Sequence, residues 1–173
     1  MRIFLVGLPG AGKSTVGRHL AAELDATFYD LDEEIALRAG ADIPWIFDVE
    51  GEAGFRDRET AVVKDLAALD NVVIATGGGV VLREDNRRIM SHASTVVYLS
   101  ASLSTLVSRT SGKTKRPLLA GKDVNQVLKD LMRVRGPLYE QVADLTVVSI
   151  GGAAKKLAGL IATQIALLNR TEK

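Results

Sequence analysis

The sequence predicts an α/β domain built on a mainly parallel sheet, and two observations carry this. Short apolar runs recur at 2–6, 27–31, 72–75, 95–99 and 145–148, with helical patterning in the gaps between them. The first run, Arg2-Ile3-Phe4-Leu5-Val6, leads directly into Gly7-Leu8-Pro9-Gly10-Ala11-Gly12-Lys13-Ser14, which fits the phosphate-loop pattern G-x-x-x-x-G-K-[ST]. Val16, Leu20 and Leu24 follow at helical spacing, so the loop joins a strand to a helix. In that context successive backbone N–H groups and a helix N-terminus converge on phosphate oxygens. Lys13 then reaches the β- and γ-phosphates of a nucleotide, and the Ser14 hydroxyl ligates Mg²⁺.

At 173 residues the chain suits one domain, with no repeat or linker to divide it. The absence of cysteine excludes disulfides and thiolate metal sites, and His19 and His92 lack ligand spacing. A net charge of +1 gives no reason to expect nucleic acid. No apolar run approaches the roughly 18 residues of a membrane span, and a strand begins within two residues of Met1, leaving no room for a signal peptide. A cytoplasmic monomer is the expectation.

The near-continuous apolar character of Val72-Val73-Ile74-Ala75 and Val96-Val97-Tyr98-Leu99 predicts strands covered on both faces. Ligands in such sheets sit beyond the carboxyl ends of the strands, so the residues after each run matter most. The second run ends in Asp30-Leu31-Asp32. Extended backbone would point both carboxylates one way and Leu31 into the core, with Asp30 holding Mg²⁺ through water beside Ser14 and Asp32 facing a phosphoryl acceptor. Helix capping ahead of Glu33-Glu34-Ile35 is an equal reading.

Residues 43–69 read as two helices joined near Gly51 and Gly54. Within them Arg56 and Glu59 stand three apart on one face and suit an ion pair, which is commonly a solvated surface feature. The third strand runs into Thr76-Gly77-Gly78-Gly79, either a tight loop or backbone that a substrate must approach closely. No acid ends this strand, which makes Asp30 the better Mg²⁺ candidate. A helix ending near Arg109 precedes the segment 111–122, where four of twelve residues are Lys or Arg. That segment reads as a mobile lid over a triphosphate or as an exposed loop. Residues 123–140 are helical, with Pro137 expected to kink or break the helix. A final helix carries Leu157, Leu160, Ile161, Ile165 and Leu168 on its packing side.

Together, Gly7 to Thr15, Asp30-Leu31-Asp32, Phe55-Arg56-Asp57-Arg58-Glu59, Gly77-Gly78-Gly79, Arg116-Pro117-Leu118-Leu119 and Arg135-Gly136-Pro137-Leu138-Tyr139 closely resemble the shikimate kinases, in order and over nearly the full length. The resemblance implies a five-stranded parallel sheet in the order 2-3-1-4-5, as in nucleoside monophosphate kinases. It also implies a substrate-binding region at about 31–60 and a lid at about 111–122. The implied reaction transfers the γ-phosphoryl group of ATP, with Mg²⁺, to the 3-hydroxyl of shikimate, a step of chorismate and aromatic amino acid biosynthesis.

Carried over residue by residue, Arg56 and Arg135 match the carboxylate-binding arginines, whose planar fork suits a planar anion. Asp32 matches the acid that bonds the shikimate hydroxyls and orients or deprotonates the nucleophile, and Gly77, Gly78 and Gly79 match the substrate-facing backbone. Glu59 orients Arg56. Gly10, Ala11, Gly12, Lys13, Ser14 and Thr15 bind the nucleotide, Arg116 reaches its phosphates, Arg109 stacks on adenine, and Ser14 and Asp30 hold the metal. Lys13, Asp32 and Arg116 form the catalytic set. The loop Val148 to Ala154 shows no polar residue suited to reading a base, so backbone contact is expected there. A gluconate kinase on the same loop and a non-catalytic nucleotide-binding module are the competing readings.

Overall fold

The computed structural model describes residues 1–110, 123–150 and 152–171. Strands β1 (Arg2–Val6), β2 (Thr27–Asp30), β3 (Val72–Ala75), β4 (Thr95–Ser100) and β5 (Leu145–Val148) form one sheet, ordered β2-β3-β1-β4-β5 and parallel throughout. Helices α1 (Lys13–Glu23), α2 (Leu31–Ala39), α3 (Ile43–Ala67), α4 (Glu84–Ala93), α5 (Leu103–Thr110), α6 (Val124–Val142) and α7 (Ala154–Thr171) fill the connections. The order matches the expectation.

Its physical logic follows from handedness. Leaving β1 for β2 crosses the sheet one way, whereas each later connection steps back the other way. Right-handed crossovers therefore set α1 on one face and α3, α4 and α6 on the other. Helix α1 packs on α7, and α3 and α6 both pack on α4. Covered on both faces, β1, β3 and β4 bury long apolar runs, with Ile3, Phe4, Leu5, Val73, Ile74, Val96 and Val97 all fully inaccessible.

One open local reading is decided and two expectations are corrected. Strand β2 stops at Asp30, and Asp32 lies in the first turn of α2 rather than on extended backbone. Leu31 does enter the core. Helix α6 continues through Pro137 to Val142. Proline removes a hydrogen bond on an exposed side of this helix, and Gly136 before it has no Cβ to clash with the ring. On α7, Leu157, Ile161 and Ile165 are buried, but Leu160 and Leu168 are exposed at 48% and 38%. The expected division of 43–69 holds: α3 bends at Gly51, whose φ of 71° and ψ of −179° interrupt the helix. The expected lid at 111–122, with Arg116, lies outside the described residues.

Candidate active site

The carboxyl ends of β1, β2 and β3 open into a cleft of about 760 Å³. Its walls include Gly10, Gly12, Lys13, Ser14, Thr15, Asp30, Asp32, Arg56, Glu59, Gly77, Gly78, Gly79, Arg109 and Arg135. Candidates spread over more than a hundred positions of sequence thus meet in one space. Ala11 does not: its side chain packs in the core, which leaves only its backbone to serve a ligand.

The phosphate loop forms one wall. Gly10 and Gly12 have φ of 88° and 94°, a region that L side chains rarely enter, and Gly12 leads into the N-terminus of α1. Lys13 is 8% exposed, and its Nζ donates to the carbonyls of Gly7 at 2.7 Å and Leu8 at 3.1 Å. Arg109 Nη1 donates to the carbonyls of Gly10 and Ala11, at 3.1 and 3.3 Å, and to Ser149 Oγ at 3.1 Å. Ser149 was missed. The loop after β5 does contain a buried hydroxyl, and it holds Arg109 against the phosphate loop. A serine amid apolar residues at a strand end was the available signal.

Asp30 caps α2 and also meets Ser14, one carboxylate oxygen for each. One carboxylate oxygen caps α2 by accepting from the Asp32 N–H at 3.1 Å, and the other accepts from Ser14 Oγ at 2.5 Å. A hydroxyl and a carboxylate side by side beneath a phosphate loop suit a small hard cation that keeps waters and phosphate oxygens as its remaining ligands. Among the described residues no three His, Asp or Glu side chains gather to form a fuller protein cage.

Two buried arginines also line the cleft. Arg56 is 7% exposed, and its Nη1 donates to both oxygens of Glu59 at 3.0 and 2.8 Å. Its Nη2 reaches Glu52 at 3.3 Å, a partner that the sequence reading missed although four residues separate them. Glu59 is fully inaccessible, so this pair is an interior one and not a solvated surface feature. Burial pushes the Glu59 carboxyl above its ordinary range even though Arg56 opposes the shift. Nε of Arg56 is buried without an acceptor, so the guanidinium retains bonding capacity that the glutamates do not use. Arg135, 6% exposed, lines the same cleft from α6.

Each glycine of 77–79 has its own reason. A Cβ on Gly77 would lie 2.8 Å from Asp32 Oδ1, one on Gly78 would lie 2.9 Å from Pro9 Cδ, and one on Gly79 would collide with both terminal nitrogens of Arg56. The run clears space for the acid, the phosphate loop and the arginine in turn. Phe47 and Phe55, with ring centroids 4.6 Å apart, add an apolar wall with Ile43 and Leu131. None of the four is legible as a wall of the site, Phe55 entering only within its motif, because apolar residues at helical spacing are indistinguishable from core in sequence.

The description of the matching family model is "Shikimate kinase", and it spans residues 9–166. The chain belongs to the shikimate kinase family. A shikimate kinase of Chromohalobacter salexigens is 59% identical over 145 residues, covering 84% of this chain and 81% of the relative. Among solved structures, a shikimate kinase from Acinetobacter baumannii in complex with shikimate superposes with a TM-score of 0.93 at 46% identity, covering 97% and 93% of the two chains. The shikimate kinase from Aquifex aeolicus gives 0.81 at 36% identity, with 96% of each chain covered. These two solved structures share the overall fold of this chain.

Proposed function

We propose that this chain is a shikimate kinase that transfers the γ-phosphoryl group of ATP to the 3-hydroxyl of shikimate, yielding shikimate 3-phosphate and ADP. The observation that carries this is the pairing, in one cleft, of a phosphate loop with the buried arginines Arg56 and Arg135. Shikimate is a small carboxylate bearing hydroxyls, and the cleft offers cations for one end and Asp32 for the other. The solved complex of the related Acinetobacter enzyme with shikimate supports the same reading.

Phosphoryl transfer asks the protein for positioning and charge stabilisation, not for covalent chemistry. In this reading Arg56 and Arg135 take the carboxylate, and Glu59 fixes the Arg56 fork by binding one of its nitrogens with both oxygens. Asp32, exposed at the start of α2, accepts from a substrate hydroxyl and turns its oxygen toward the phosphate loop. The N–H groups of Gly10 to Thr15 and the start of α1 hold the phosphates. Lys13 exchanges its loop carbonyls for phosphate oxygens, where its charge offsets what develops in the transition state. Ser14 and Asp30 would hold Mg²⁺, which when bound neutralises and aligns phosphate oxygens. Arg109, fixed by Ser149, borders the nucleotide side. Cytoplasmic location and a monomeric state belong to this proposal.

A coupled assay of ADP release with shikimate and gluconate as alternative acceptors tests it. Turnover of shikimate is expected, and turnover of gluconate alone overturns the reading. ATP binding with no product from either acceptor indicates a non-catalytic nucleotide-binding module.

A further inference from the structure

Tyr139 is the largest fully buried side chain among the described residues, yet its hydroxyl is directed at a wall of the cleft. It stands on α6 one turn after Arg135, and its ring stacks on Tyr98 of β4 with centroids 5.1 Å apart. The hydroxyl donates to the carbonyl of Gly78 at 2.5 Å, across 61 positions of sequence, and the Arg135 guanidinium lies near the phenol oxygen. Burial pushes the phenol far above its ordinary range, so it remains a donor throughout the working pH range.

Gly78 is also packed closely on the phosphate loop, since Pro9 occupies the space a Cβ would take. A trans peptide is planar, so the carbonyl of Gly78 and the N–H of Gly79 point in opposite directions. Gripping the first sets the second. Gly79 in turn backs onto the tips of Arg56. A chain of contacts therefore runs Arg56, Gly79, Gly78, Tyr139, Arg135 around the end of the cleft. Two guanidinium groups brought near one another repel, and a rigid spacer is what keeps both facing one anion.

We propose that Tyr139 is a positioning residue for recognition of the substrate carboxylate. Its hydroxyl aims the Gly78–Gly79 peptide and holds Arg135 in register with Arg56. The inference rests on the reading that this cleft binds shikimate by its carboxylate.

Tyr139→Phe keeps the ring and its stacking and removes only the hydroxyl. The expected result is a rise of about tenfold in the KM and calorimetric Kd for shikimate. kcat at saturating shikimate should stay within about threefold and the Kd for ADP should be unchanged, a split that general loss of packing would not give. Tyr98→Phe, which alters the stacking partner without touching Gly78, is expected to leave all these values as they were. Replacement of Tyr139 by p-aminophenylalanine restores a donor and is expected to recover the shikimate affinity. Equal damage from both replacements at 139, or from Tyr98→Phe, overturns the proposal, as does an unchanged KM in Tyr139→Phe. Failure of the wild-type chain to bind shikimate overturns the substrate reading and this inference with it. Wild-type binding matched by Tyr139→Phe overturns this inference alone.

Discussion

Ser14 Oγ donates to Asp30 Oδ2 at 2.5 Å, which ties the phosphate loop to the residue that caps α2. Asp30 thus serves two elements with its two oxygens, and the roles are separable. Asparagine caps helices about as well as aspartate but carries no charge. Asp30→Asn is expected to leave the melting temperature within a few degrees while raising the Mg²⁺ concentration for half-maximal rate by about tenfold. A Mg²⁺ titration of initial rates checks this, and an unchanged requirement removes Asp30 from the metal site.

Gly79→Ala tests the space that the glycine run provides. Gly79 has φ of −99° and ψ of −1°, which alanine also adopts, so the cost is one of contact and not of backbone strain. The added methyl displaces the Arg56 guanidinium. A KM for shikimate raised by about 10- to 100-fold is expected, with ADP affinity retained. Steady-state kinetics with both substrates varied would show it.

Removing one partner of a buried ion pair strands the other. Arg56→Ala leaves Glu59 enclosed without its main partner, and a loss of stability of about 3 kcal/mol is expected. Glu59→Gln added to the same chain should recover part of that loss, because no buried charge then remains. Urea unfolding of the wild type, both single variants and the double variant measures the coupling, and strict additivity would contradict it.

The same glutamate gives stability a pH signature. Its folded carboxyl titrates above the ordinary value of 4.5, mainly through burial. Between that value and its raised one, the native state therefore binds more protons than the unfolded chain, and Glu59 contributes a fall in stability as pH rises. Below this window the protonated form contributes fully; above it the contribution is lost. Unfolding free energies measured from pH 4.5 upward should show a less negative slope in Glu59→Gln than in the wild type, by at most about 1.4 kcal/mol per pH unit. Identical slopes would assign the shift elsewhere.

Much of this site was legible in sequence because its signals are local. The phosphate loop needs only a strand, glycines at fixed offsets and the start of a helix, all within residues 2–24. The triple glycine and the missing acid after β3 were likewise readable at one strand end. The element carrying Asp32 stays open in sequence because an acid after a short strand fits extended backbone and a first helical turn equally well, and the structure decides for the helix. The solvated reading of Arg56 and Glu59 gave way for a different reason: helical spacing brings two side chains together but does not say which face is covered. Ser149 is not legible because its partner comes from another element, with Arg109 lying 40 positions away, and the aromatic wall because apolar residues at helical spacing look like core.

By itself the sequence determined that the chain alternates strands and helices, that a phosphate loop follows the first strand, and which acids, arginines and glycines end the others. Those properties depend on backbone preference and on the period of apolar residues, which act over a few positions. Tertiary structure alone decided that Arg56 and Glu59 are enclosed, that Gly79 makes room for Arg56, that Asp30 meets Ser14, and that Tyr139 grips Gly78. Each of these arises when the sheet brings its strand ends and the covering helices together, and no local pattern records how close such elements will come.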